Sequence, residues 1–269
     1  MLGRWLTCCV RIALAIAVCL GCASNTTAQE TAPPFMRDVA RLVSAYPDFL
    51  DRIEGNSLIW KDGTRMPIDD GKGVKDAETR LQSADIKDMF FAPYPAGGPA
   101  VAPDVDVDPG RARYEPFFHK MYGDCRTGGA QMNLVDVVWL PRKWGKPLRV
   151  TRVNGVAEKL KAVSREIDAL PARFDEYVRP SAGTFNCRTI AGTNRGSAHG
   201  LGIAIDIATR RSHYWRWEKP GANGRHAYRN DIPMEIVRIF EKHGFIWGGR
   251  WYHYDTMHFE YRPELLPGP

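Results

Sequence analysis

The chain has 269 residues, 44% of them apolar and eight of them tryptophan, which is ample for a buried core. Its 37 Lys and Arg against 31 Asp and Glu leave a formal charge of +6, a mild excess that suits an anionic cell-wall polymer. The basic residues form neither a dense run nor a basic helix of the kind that reads phosphate backbones, which argues against nucleic acid as the partner.

Residues 1–28 read as a secretory signal. Arg4 and Arg11 come first, then an apolar run from Ile12 to Leu20, then small residues ending in Thr26-Thr27-Ala28. The run is too short to span a bilayer as a mature helix, and no later stretch is apolar for long enough. Cleavage near Ala28 releases a soluble exported protein. Leu20-Gly21-Cys22 also resembles the end of a bacterial lipoprotein signal, with Cys19 where Leu or Val is usual, so a lipid anchor at Cys22 is the alternative processing. In both cases about 240 residues work in the periplasm or cell envelope, enough for one elaborated domain or two small ones.

Residues 29–150 read as an accessory region with a helix, a hairpin and a long loop. Met36 to Tyr46 has helical spacing, and residues 56–60 and 65–68 read as a hairpin turned by Asp62-Gly63. Residues 92–113, rich in Pro, Gly, Ala and Asp, read as a long exposed loop, with Asp104, Asp106 and Asp108 as a solvated acidic stretch lacking the ligand spacing of a calcium loop. From 151 onward the punctuation is clearer. Asn154 is placed to cap a helix whose apolar residues Val156, Leu160, Val163, Ile167 and Leu170 recur at helical intervals until Pro171 ends it. A second helix runs from about Ile232 to His243, with Pro233 in its first turn and Gly244 after it. Short strands are expected at residues 183–187, 203–208, 245–247 and 257–261. Together these predict an α+β fold, a small antiparallel sheet flanked by helices.

Four of the six cysteines lie in or beside the leader, so Cys125 and Cys187 alone remain in an oxidising compartment and are expected to pair. The chemistry concentrates in two segments, Ser197-Ala-His199-Gly-Leu-Gly202-Ile-Ala-Ile-Asp206 and Asp255-Thr-Met-His258. Two imidazoles and one carboxylate are what a catalytic zinc site needs, since they leave the fourth tetrahedral position for water. Strand alternation puts Asp206 on the face opposite Ile203, Ile205 and Ile207, and puts His258 with Glu260. Gly200 and Gly202 let the chain turn His199 back towards Asp206. His243 is explained by its place in the last turn of a helix, whereas His119, His213, His226 and His253 lack such a context, and His253 reads as a surface residue.

At these residues the chain resembles the VanY-like D-alanyl-D-alanine carboxypeptidase and L-alanyl-D-glutamate endopeptidase family of zinc peptidases, over roughly residues 184–261. The resemblance implies a hedgehog-type fold in residues 151–269. It also implies one zinc ion held by His199, Asp206 and His258, with Asp255 as general base. It further implies that Arg188 stabilises the oxyanion, that Ser197 bonds substrate or the site loop, and that Glu260 orients a ligand. Asp255, where many carboxypeptidase members carry Glu, is similar to the endopeptidase branch. The implied activity is hydrolysis of peptidoglycan stem peptides, which with the leader gives an exported hydrolase, expected to be a monomer; the alternative is a non-catalytic zinc-dependent binding module of the same fold.

Overall fold

The computed structural model describes residues 34–221 and 224–267; the expected leader, with Arg4, Arg11 and Cys22, lies outside them. Helix α1 (Pro34–Ala45) turns Val39 and Leu42 inward at helical spacing, with Tyr46 just past its end, and all three are fully buried. A three-stranded antiparallel meander follows, β1 (Leu50–Glu54), β2 (Ser57–Trp60) and β3 (Arg65–Pro67). The Asp-Gly turn stands where expected, with Gly63 at φ +83°. The strand before it, β1, was not anticipated. Helix α2 (Ala77–Gln82) is capped by the Asp76 carboxylate, which accepts from Thr79 N–H.

Residues 92–113 form no strand or helix, as expected, but they are only partly exposed. Val101 and Val105 face solvent, whereas Tyr94 and Ala112 are buried and Asp108 is nearly so. The segment from Asp108 to Arg113 instead runs beneath the C-terminal half, where Gly110 O accepts from Arg262 at 2.6 Å. Helix α3 (Glu115–Tyr122) buries Phe117, Phe118, Met121 and Tyr122. It stops at Gly123, whose φ of +89° and close approach to the Gly129 backbone leave no room for a Cβ.

Strands β4 (Leu134–Trp139) and β5 (Lys146–Thr151) make an antiparallel hairpin against which α4 (Val156–Asp168) packs. Val156, Leu160, Val163 and Ile167 form the inner stripe of α4, as their spacing predicts. Asn154 does not cap it. Its backbone is left-handed, at φ +53°, and its amide donates to Tyr122 OH at 3.1 Å instead. After the short α5 (Asp175–Val178), residues 183–187 do not form the expected strand; only Gly183 bridges Asp206. The remaining sheet is antiparallel in the order β6 (Ala204–Asp206), β8 (His258–Tyr261), β7 (Phe245–Trp247), with α6 (Met234–Lys242) on one face. Phe259 of β8 stacks on Phe240 of α6 with ring centroids 3.8 Å apart. The fold is α+β. From Pro34 onward it is one compact unit, and a single core joins residues from α1 to β8. No described helix is long and apolar enough to cross a membrane.

Candidate metal centre

The turn that carries His199 is built from its neighbours. Ser197 Oγ accepts the His199 N–H at 3.3 Å and opens a short 3-10 turn, Ala198–Leu201. Gly202 then reverses the chain at φ +71°, and a Cβ there would lie 2.8 Å from Leu134 Cδ2 and 3.0 Å from Thr151 N. The His199 ring is thereby returned over β6. In that strand Ile205 is fully buried, as are Ile203 and Ile207 beside it, while Asp206 faces the other way. Asp206 is paired directly with His258 across the β6–β8 ladder, which sets carboxylate and imidazole on one face.

Hydrogen bonds on the far side of each ring fix what the rings present to one another. His199 Nδ1 donates to Thr184 O, and His258 Nε2 donates to Glu260 Oε2 at 3.2 Å. A neutral imidazole has one N–H, so each ring turns a lone pair inward. His199 Nε2 and His258 Nδ1 lie 3.2 Å apart, and Asp206 Oδ1 is 3.2 Å from the first and 3.0 Å from the second. Three acceptors so placed repel unless a cation lies among them. Zinc bonds of about 2.0–2.1 Å in a tetrahedral site require ligand separations of about 3.3 Å, close to the observed edges. The three side chains thus form a group that could hold a metal ion. A second cluster, Asp69, Asp70 and Asp85, already contains a cation, since Lys75 Nζ lies 2.9 Å from Asp70 and 3.4 Å from Asp85.

Charge around the centre is tightly balanced. Burial raises the Asp206 pKa, but the two imidazoles outweigh it and hold the carboxylate far below its usual range. Glu260, also buried, is held well below its usual value by Arg113, His258 and Arg262. Burial disfavours a charged His258, yet its bonds to Asp206 and Glu260 raise its pKa to about 10. Asp255 behaves oppositely to Asp206 and Glu260: burial, and then the negative charge of Asp206, push it up to about 6. Its Oδ1 is buried without a partner among the described residues.

The three candidate ligands, Asp255, Ser197 and Arg188 all line one cleft of about 330 Å³. Arg188 is exposed at its edge, where its side-chain Nη1 donates to Thr189 O at 3.4 Å. Cys125 and Cys187 are bridged. That disulfide packs under the His199 turn, because a Cβ on Gly200 would come within 2.9 Å of Cys125 Sγ. Other residues of the site were not read from the sequence. Arg113 Nη1 and Arg262 Nη1 clamp Glu260 at 3.0 and 3.1 Å, and Glu264 holds Arg262 in turn. His253 is no free surface residue: it lines the cleft, with Nδ1 held by Asp108 Oδ2 at 2.7 Å. Arg262 could have been found by continuing the alternation 258, 260, 262, whereas Arg113 and Asp108 lie in a loop without period.

Residues 191–261 match the family model described as D-alanyl-D-alanine carboxypeptidase. The matched segment holds His199, Asp206, Asp255, His258 and Glu260; Arg188, Arg113 and Cys125 lie outside it. No curated protein and no solved structure was found to match the chain.

Proposed function

We propose that the protein is an exported zinc metallopeptidase that hydrolyses peptide bonds in peptidoglycan stem peptides. The observation that carries this is the convergence of two imidazole lone pairs and a carboxylate in the same cleft as a second, partnerless carboxylate, Asp255. His199, Asp206 and His258 would hold the zinc ion, which when bound would supply a Lewis acid for the scissile carbonyl and lower the pKa of water. Asp255, its proton affinity raised towards neutrality, accepts a proton from the attacking water and returns it to the leaving amine. Arg188, free at the cleft edge, meets negative charge developing on the carbonyl oxygen. Ser197 keeps the His199 turn in place, and Glu260 fixes the His258 tautomer. In this reading residues 151–269 are the catalytic part, of hedgehog-type fold, and residues 29–150 support it. The working form is a periplasmic or envelope-bound monomer, released near Ala28 or lipidated at Cys22. The Asp at 255 favours the L-alanyl-D-glutamate endopeptidase branch over D-alanyl-D-alanine carboxypeptidation.

The rival reading is a zinc-dependent binding module that cuts nothing. Incubation with defined muropeptides separates the two. Cleavage should disappear with chelator, return with zinc, and fall about 100- to 10,000-fold in Asp255→Asn while metal content stays at one equivalent. Stoichiometric zinc with no cleavage of any muropeptide or D-amino-acid dipeptide would give the binding module the better claim. Product masses identify the bond.

A further inference from the structure

The hairpin leading into the metal centre carries a charge that the centre does not use. Residues 188–197 fold back on themselves: Thr189 bridges Gly196, Ile190 N–H donates to Arg195 O at 2.9 Å, and Ser197 N–H donates to Arg188 O at 3.0 Å. Arg195 is only 7% exposed. Among the described residues no carboxylate forms an ion pair with it, and its Nε is buried without any partner. The other two arginines buried to this degree each pair with carboxylates, Arg250 with Glu241 and Arg262 with Glu260 and Glu264, although Arg262 Nη2 also lacks a hydrogen-bond partner.

Its surroundings sharpen the imbalance. Burial, and then the positive charges of Arg113 and Arg111, pull the Arg195 pKa down to about 9. The two nearby carboxylates, Glu115 and Asp108, partly offset this but form no ion pair with Arg195 and hold other groups. Glu115 Oε1 accepts the Gly196 N–H at 2.5 Å, and Asp108 is shared between Arg111 and His253. A largely buried guanidinium with no carboxylate in an ion pair is unfavourable, and an anion from outside would offset the charge. Room for one exists. Arg195 lines a cleft of about 280 Å³ with Ser83, Arg113, Tyr114, Glu115 and Asn194. Neither the metal ligands nor Asp255 line this cleft; Arg113 is the wall it shares with the metal cleft.

We propose that Arg195 is the base of an oxyanion-binding site, distinct from the metal centre, that takes a carboxylate or phosphate group. The planar fork of a guanidinium matches two oxygens of such a group, and Asn194, Ser83 and Tyr114 carry further donors along the same cleft. The occupant bridges the hairpin to residues 83 and 114, which line the same cleft. The site stands independently of the peptidase reading, since it needs neither zinc nor Asp255.

The test follows thermal unfolding of the purified protein in a zwitterionic buffer, at ionic strength fixed with sodium chloride, as inorganic phosphate or glutarate replaces chloride. Wild-type protein should show a saturable rise in Tm of about 5 °C, retained in chelator and absent in Arg195→Gln. Without either anion, Arg195→Gln should be at least as stable as wild type, because it removes an uncompensated charge. A response to phosphate alone or to glutarate alone tells which group the site takes. Three results would overturn the proposal: no saturable rise with either anion, a rise that chelator abolishes, or a rise that Arg195→Gln keeps. So would an Arg195→Gln variant that loses the same stability with and without anion, since the guanidinium would then serve the fold itself.

Discussion

Glu260 shows how one side chain serves both the metal centre and the fold. It is fully buried, accepts from His258 Nε2, and neutralises Arg113 and Arg262. Glu260→Gln keeps the shape and removes the charge, leaving Arg113 without its carboxylate and weakening the bond that fixes the His258 tautomer. Metal affinity should fall about 10- to 100-fold, and stability by about 3 kcal/mol. Glu264→Gln is the control, because Glu264 is equally buried and holds Arg262 and Tyr46 but does not touch His258. Competition with a chelating dye, alongside urea unfolding, should show both variants destabilised and only Glu260→Gln with weakened metal binding. Equal loss of affinity in the two would mean that the metal responds to general loosening rather than to the tautomer. At this scale the ligands were legible because His199, Asp206 and His258 stand on strands and turns whose periodicity fixes direction. Arg113 and Asp108 were not, because no local pattern in their loop says which residues fold inward.

Among the elements, the turn from Ser197 to β6 does most to place a ligand, and it depends on one backbone conformation. Gly202 combines φ +71° with close neighbours, the Thr151 backbone among them, so Gly202→Ala meets both a conformational and a steric penalty. Gly63 sits at φ +83° with open space around it, so Gly63→Ala meets the first alone. Gly63→Ala should lower stability by about 1 kcal/mol and leave metal affinity unchanged. Gly202→Ala should cost more than that and weaken metal binding, because the displaced turn carries His199. Isothermal titration with zinc decides the matter: unaltered affinity in Gly202→Ala would show that the imbalance is absorbed elsewhere. The sequence reading anticipated this turn and the β6, β7 and β8 strands, where apolar residues and glycine punctuation agree. It missed β4 and β5, where Asp136 faces Arg149, Lys146 and Thr151 further break the apolar pattern of β5, and Val138 is left nearly half exposed. It also expected a strand at 183–187, where the bridge at Gly183 is not continued and Cys187 is drawn off to Cys125.

Across the whole molecule, buried hydrogen bonds and ion pairs join the segment before residue 150 to the one after it. Tyr46 OH donates to Glu264 at 2.6 Å, Arg113 reaches Glu260, and Asp108 takes both the backbone N–H and the ring Nδ1 of His253. Composition could promise a core but not this stitching, which depends on contacts between residues some 145 positions apart. Asp108 offers the cleanest measure of it. Burial alone would raise its pKa, but His253 and Arg111 more than compensate and hold it at about 2, against an ordinary value of 3.8. A carboxyl whose pKa is depressed by folding stabilises the native state above its unfolded pKa and loses that contribution as pH falls through its folded one. The difference corresponds to about 2 kcal/mol, present in full above pH about 4 and gone near pH 2. Asp108→Asn retains an oxygen for the backbone N–H of His253 but not the charge. Wild type should therefore be more stable than Asp108→Asn by about 2 kcal/mol at neutral pH, and the gap should close between pH about 4 and pH about 2. Urea unfolding of both proteins across that range checks it. Acid sensitivity common to the two, from Asp206 and Glu260, cancels in the comparison. A gap that stays constant down to pH 2 would mean that Asp108 contributes through packing and hydrogen bonding alone, and that its charge does not help tie the two segments together.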